Sequence, residues 1–163
     1  MITGDENETD LFSLSKDVFD YFGLGCRNIT KLYLPKDYSI EKLIAVLDNY
    51  EALEEHHKYR NNYDYNYALY LLNQDVFLAG QNVLLKEDVS YISRIACLHY
   101  EYYNTLNEIR DRIEMDQDLI QCISTATGKI LSSVKEVRFG ETQKPGLKDY
   151  ADGIDVMKFL SEL

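Results

Sequence analysis

Proline, cysteine and basic residues are all scarce in this chain, and each scarcity removes a class of explanation. There are two prolines and eight glycines in 163 residues. No Pro/Gly-rich linker, low-complexity tract or internal repeat divides the chain, so residues 1–163 are expected to form one domain with a single core. The three cysteines, Cys26, Cys97 and Cys122, are widely separated. They form no even-numbered disulfide framework and no paired zinc-ligand spacing, so free thiols are expected. Lysine and arginine number 17 against 28 aspartates and glutamates, a formal net charge of −11. Such a surface repels phosphate backbones, and no local Lys/Arg cluster offsets it, which argues against nucleic-acid binding. No apolar run is long enough to span a membrane. The opening "MITGDENETD" has neither the basic nor the apolar region of a signal peptide, so a cytoplasmic protein is expected.

What remains is an ordinary globular composition, 45% apolar and 28% charged. Thr9 is a candidate N-cap for a helix bearing Leu11, Leu14, Val18 and Phe22, with Gly23 placed to end it. "ITKLYL" reads as a strand closed by Pro35. Ser39 is expected to cap a helix that buries Ile40, Leu43, Ile44 and Leu47. A further helix carries Tyr63, Tyr67, Tyr70 and Leu71. "NVLLKE", "YISRIACLHYEYY", "LIQCIST" and "EVRF" read as strands. "TLNE", Thr105 to Glu108, is a capping box opening a helix through Leu106, Ile109 and Ile113. The final helix places Val156, Phe159, Leu160 and Leu163 on one side. Alternation of this kind predicts an α/β fold, a three-layer arrangement with a largely parallel sheet flanked by helices.

The segment richest in chemistry is "FGLGCRNITKLYLP". Cys26 follows Gly23 and Gly25, whose backbone freedom would let a substrate approach and let amides face a developing oxyanion. Arg27 beside it would favour a thiolate. The competing reading is a small buried hydrophobe, the usual fate of cysteine. Cys97 and Cys122 lie within apolar strand runs and read as core. "GLGCRN" half-matches a dinucleotide fingerprint, but its helix–loop–strand order is the reverse of what that motif needs. Adjacent His56 and His57 diverge on a helix and lack a carboxylate at ligand spacing, so a metal site is not supported. His99 reads as a structural histidine, and no serine lies in a nucleophile-elbow motif. The tyrosines at helical spacing suit a core or an interface better than a ligand stack.

The order Gly-x-x-Cys, strand, Pro, "DYSIEKLIAVL" resembles the active-cysteine segment of the aldehyde dehydrogenase superfamily. More closely, "DYFGLGCRNITKLYLP", "HHKYRNNYDYNYALYLLN", "LHYEYY" and "FGETQKPGLKDYADGIDVMKFL" are similar to the LuxC-like acyl-CoA reductase family, along nearly the whole chain. The resemblance implies an aldehyde-dehydrogenase-like catalytic domain and an acyl-CoA reductase. Cys26 would accept the acyl group of a fatty acyl-CoA, and hydride from NADPH would release the aldehyde. Members are far longer, with a nucleotide-binding part upstream, and no glycine-rich phosphate loop occurs here. The chain thus corresponds to the C-terminal, cysteine-bearing domain, expected to be inactive as a reductase alone. The Glu-x-Phe-Gly-Pro segment that contacts the nicotinamide ribose in aldehyde dehydrogenases is absent as such, and its nearest counterpart, "KEDVSYIS", points to Glu87. Two alternatives stand beside this reading. One is an aldehyde dehydrogenase-type oxidoreductase domain. The other is a non-catalytic domain that assembles as a homo-oligomer through Tyr63, Tyr67 and Tyr70. A domain cut from its partner would also expose apolar surface and self-associate.

Overall fold

The computed structural model describes residues 1–53, 55–128, 134–150 and 153–163. Helix α1 (Glu8–Phe19) begins two residues earlier than Thr9 would place it, because Asn7 and Asp10 satisfy each other's backbone N–H groups in a reciprocal box. Leu11, Leu14, Val18 and Phe19 face the core. The helix stops before Gly23, and Phe22 (φ 55°) and Gly23 (φ 76°) then turn the chain in successive left-handed conformations.

Strand β1 (Lys31–Pro35) follows, then helix α2 (Ile40–Asp48). Helix α3 (His57–Leu72) starts well before the tyrosine run and is capped by His56, whose Nδ1 accepts the Tyr59 N–H at 3.0 Å. Its buried face is Tyr59, Tyr63, Asn66 and Tyr70, whereas Tyr67 and Leu71 are exposed. Tyr63 donates to the Gly80 carbonyl and Tyr59 to that of Asn82. These phenols have apolar bodies in the core and tips bonded to a loop. Tyr63 and Tyr70 are thus core residues, and of the three tyrosines expected at an interface only Tyr67 is exposed.

Strands β2 (Leu78–Ala79), β3 (Leu84–Glu87) and β4 (Cys97–Tyr103) complete a four-stranded sheet in the order β1-β4-β3-β2. The β1–β4 and β3–β4 pairs are parallel, and only the short edge strand β2 is antiparallel. The register sets Leu32 against Tyr100 and Leu85 against Leu98. The α/β expectation with a mostly parallel sheet is thus met. "YISRIACLHYEYY" supplies less strand than expected: residues 91–96 are loop, ending at Ala96 in a left-handed conformation (φ 61°).

Helix α4 (Leu106–Met115) is capped by Thr105 through the Glu108 N–H, while the Glu108 carboxylate accepts from Asn104 rather than closing on Thr105. Ile109 and Ile113 are buried, but Leu106 is exposed. A second, two-stranded parallel sheet pairs β5 (Ile123–Thr125) with β6 (Glu136–Arg138). Helix α5 (Val156–Ser161) buries nothing; Val156, Phe159, Leu160 and the following Leu163 are all exposed.

Both sides of β1 are covered. Leu32 and Leu34 join the main core with Leu11, Phe19, Leu43 and Tyr59. Tyr33, between them, points to a second cluster with Ile109, Ile113 and Ile123. The alternating side-chain directions of one strand thus serve two cores, and the second core lies beneath the site described next. Among the described residues, no helix is long and apolar enough to cross a membrane.

Candidate functional site

Cys26 stands in a tight turn between the end of α1 and the start of β1. The Asn28 N–H donates to the Gly25 carbonyl at 3.0 Å and closes it. The thiol is exposed, unlike that of Cys97 in the core. Among the described residues no acceptor takes the Cys26 N–H. Gly23 needs its glycine for its backbone conformation. Gly25 does not adopt a left-handed conformation, and its glycine serves a different purpose. A Cβ there would lie 2.3 Å from Nε2 of Gln143, which is packed against the bare Cα.

Gln143 reaches this position through a clamp on α1. Asp17, 2% exposed, accepts four hydrogen bonds: Ser124 Oγ at 3.0 Å, Gly140 N at 2.8 Å, Thr142 N at 3.1 Å and Thr142 Oγ1 at 2.9 Å. One carboxylate ties β5 and the turn after β6 to the helix that leads into the Cys26 loop. Gly140 (φ 81°) is required for that turn. Among the described residues, Gln143 Nε2 and Asn28 Oδ1 are screened from solvent and have no hydrogen-bond partner.

Cys26 and Arg27 line an open cavity of about 360 Å³ that runs from the turn toward the second core. Its apolar wall includes Ile29, Ile113, Ile120 and Ile123. Tyr33 and Tyr91 line it too and form a relay: Tyr33 donates to Tyr91 at 3.0 Å, and Tyr91 donates at 2.7 Å to Asp116, which is not part of the lining. Burial, more than the neighbouring acid, pushes both phenols above their usual range. Lys31 also lines the cavity, with a side chain 5% exposed that pairs with Glu101 at 2.5 Å. Burial lowers the Lys31 pKa, and Glu101 opposes that shift.

Cys122 does not lie within a strand as expected. It precedes β5, is half-buried and lines the same cavity. Burial raises its thiol pKa, and the guanidinium of Arg27 partly offsets that rise. Burial raises the Cys97 thiol as well. An order of reactivity follows. With iodoacetamide at neutral pH, Cys26 is expected to be alkylated at least about ten times faster than Cys122, and Cys97 only on unfolding. Time-resolved peptide mass spectrometry checks this, and equal rates at Cys26 and Cys97 would contradict it.

Other residues singled out in the sequence lie elsewhere. Glu87, at the exposed end of β3 and in register with Tyr100, does not line the Cys26 cavity. His56 stacks on Phe22 with ring centroids 3.7 Å apart, and His57 is exposed. His99 is buried, its Nδ1 donating to the Ser90 carbonyl at 3.0 Å. The strand-to-helix turns after β1 (residues 36–39) and β4 (residues 104–105) contain no glycine, so neither offers a phosphate cradle of the dinucleotide type.

Sequence reasoning found Cys26 and its glycines but missed Gln143, Asn28, Tyr91 and Asp116. The tyrosine relay and the Asp17 clamp join distant segments and leave no local spacing to read. Compared with family models, with curated proteins and with solved structures, the chain matches none.

Proposed function

We propose that this chain is the acyl-accepting domain of an acyl-CoA reductase of the LuxC-like type, with Cys26 as nucleophile. The observation that carries the reading is the position of Cys26: an exposed cysteine on a turn after Gly23 and Gly25, at the lining of a cavity whose apolar wall includes Ile29, Ile113, Ile120 and Ile123. A thioester carbonyl beside Sγ would leave its acyl chain room along Ile29, Ile113, Ile120 and Ile123. Burial there favours the complex by about 0.8 kcal/mol per methylene removed from water.

The reaction assigned to the chain is acyl transfer. The Cys26 thiolate attacks the thioester carbonyl, forming a carbon–sulfur bond while the carbonyl electron pair moves onto oxygen. Collapse of that oxyanion expels the coenzyme A thiolate, which takes up a proton, and leaves an acyl-thioenzyme. The unoccupied N–H of Cys26 is a candidate donor to the oxyanion.

The residues described here do not fit a nicotinamide cofactor. Glu87 lies outside the cavity lining, and neither strand-to-helix turn carries the needed glycines. No reductive step is therefore assigned to this chain. The reduction that the resemblance implies would fall to residues outside it. The exposed apolar face of α5 supports the expected self-association. Light scattering across a range of concentrations tests that, and a strict monomer would count against it.

The test of acyl transfer is release of coenzyme A. Mixed with dodecanoyl-CoA, the chain should liberate close to one equivalent in a single burst, and Cys26→Ala should liberate none. A burst that survives in Cys26→Ala would overturn the reading, as would its absence from folded wild type.

A further inference from the structure

The cavity beside Cys26 departs from the charge of the chain around it. Aspartate and glutamate outnumber lysine and arginine by 28 to 17. Yet among the described residues no aspartate or glutamate lines this cavity, whereas Arg27 and Lys31 both do. The two cations are not equivalent. Lys31 is committed, since its ammonium pairs with Glu101 and donates to the Asp88 carbonyl. The Met1 amino group, also of the lining, donates to the Ser124 carbonyl at 2.7 Å. Arg27 is half-buried, and among the described residues its guanidinium makes no hydrogen bond or ion pair. Asp149 lies within reach of its charge, but Lys135 and the Gly146 N–H already hold that carboxylate. Across the lining, the same charge offsets part of the rise that burial causes at the Cys122 thiol.

A partly desolvated guanidinium without a counter-charge favours an anion, and its planar fork of N–H donors matches the two oxygens of a carboxylate. Along Ile113, Ile120 and Ile123 the requirement is opposite, because only an apolar group gains there. The occupant that meets both is an amphiphile, negative at one end and saturated at the other.

We propose that this cavity binds free fatty acids, with the carboxylate on the Arg27 guanidinium and the chain along Ile113, Ile120 and Ile123. The site needs no reaction at Cys26 and so goes beyond the acyl-accepting reading. A fatty alcohol would leave the guanidinium unpaired, and an alkylammonium would be repelled by it. A cavity filled in this way is closed to an acyl-CoA, so the free acid competes with acyl transfer.

Isothermal titration calorimetry with decanoate and with decanol tests the assignment. Wild type should bind one equivalent of decanoate. Arg27→Gln should bind it about 10- to 100-fold more weakly, the weight of a hydrogen-bonded charge. Decanol should bind wild type and Arg27→Gln within about twofold of each other, which separates loss of the head-group contact from damage to the cavity. Decanoate at ten times its Kd should also slow iodoacetamide alkylation of Cys122, within the lining, about tenfold.

Equal losses for decanoate and decanol in Arg27→Gln, or no loss for either, would overturn the assignment. So would decanoate binding that leaves Cys122 alkylation unchanged. Decanoate binding that depends on Arg27, with no coenzyme A burst from dodecanoyl-CoA, would support this site and remove the acyl-accepting reading. A burst from wild type that does not bind decanoate would overturn this site and leave that reading intact.

Discussion

Replacing Asp17 by alanine is expected to destabilise the fold by about 4 kcal/mol, because it leaves several buried donors unpaired at once. The four groups it accepts are the hydroxyls of Ser124 and Thr142 and the backbone N–H groups of Gly140 and Thr142. They come from β5 and from the turn after β6. The hydroxyls can turn toward other acceptors, but the two amides cannot. Asp17→Asn discriminates further. It keeps an oxygen for Thr142 but sets an NH2 group against the Gly140 N–H, so about half the loss is expected, near 2 kcal/mol. Urea denaturation monitored by circular dichroism measures both. A change under about 1 kcal/mol for Asp17→Ala would mean that the clamp contributes little. Because the clamp also positions Gln143, limited proteolysis should show the segment after β6 cut faster in both variants.

The second large effect is expected at Glu101. This carboxylate pairs with Lys31 at 2.5 Å and with Arg112 at 2.8 Å. The lysine side chain is 5% exposed and lies over the rings of Tyr33 and Tyr91, 5.7 and 5.8 Å from their centroids. Its other acceptor is the Asp88 carbonyl. Glu101→Ala therefore strands an ammonium in the cavity wall, at an expected cost of about 3–5 kcal/mol. Arg112, 39% exposed at its side chain, can turn to water and adds little. Burial already depresses the Lys31 pKa, and without Glu101 it should fall further. A group whose folded pKa lies below its unfolded value opposes folding at pH values where the unfolded chain is protonated. Glu101→Ala should accordingly regain part of its lost stability as pH rises toward the lysine range. The paired replacement Lys31→Met with Glu101→Leu should recover most of the stability, since buried ion pairs replaced together by apolar groups are often neutral. A double variant as unstable as Glu101→Ala would show that shape, not charge, governs the site.

The two cases also show what the sequence could reveal. Leu11, Leu14 and Val18 recur at helical spacing and are buried as expected, since a periodic stripe is local information. The α/β alternation was legible for the same reason. The extent of strands was not. "YISRIACLHYEYY" is apolar and aromatic throughout, yet its first half is a loop held by the Ser93 hydroxyl on the Cys97 carbonyl and the left-handed Ala96. The tyrosine stripe was visible, but which tyrosines face inward depends on the loop carbonyls at Gly80 and Asn82 that receive their hydroxyls. The exposed setting of Cys26 could be anticipated from its flanking glycines. The packing of Gln143 on Gly25 could not, because Asp17 draws in that segment from far along the chain, and a buried carboxylate with four donors leaves no periodic signature.

The central claim, that Cys26 accepts an acyl group, is tested most directly by mapping the adduct. The chain is mixed with dodecanoyl-CoA, its intact mass is recorded, and the digest is searched for the acylated peptide. The account predicts one dodecanoyl group, on the peptide bearing Cys26, removed by hydroxylamine and absent from Cys26→Ala. An adduct on Cys122 instead, or none on folded protein whose Cys26 still reacts with iodoacetamide, would contradict it.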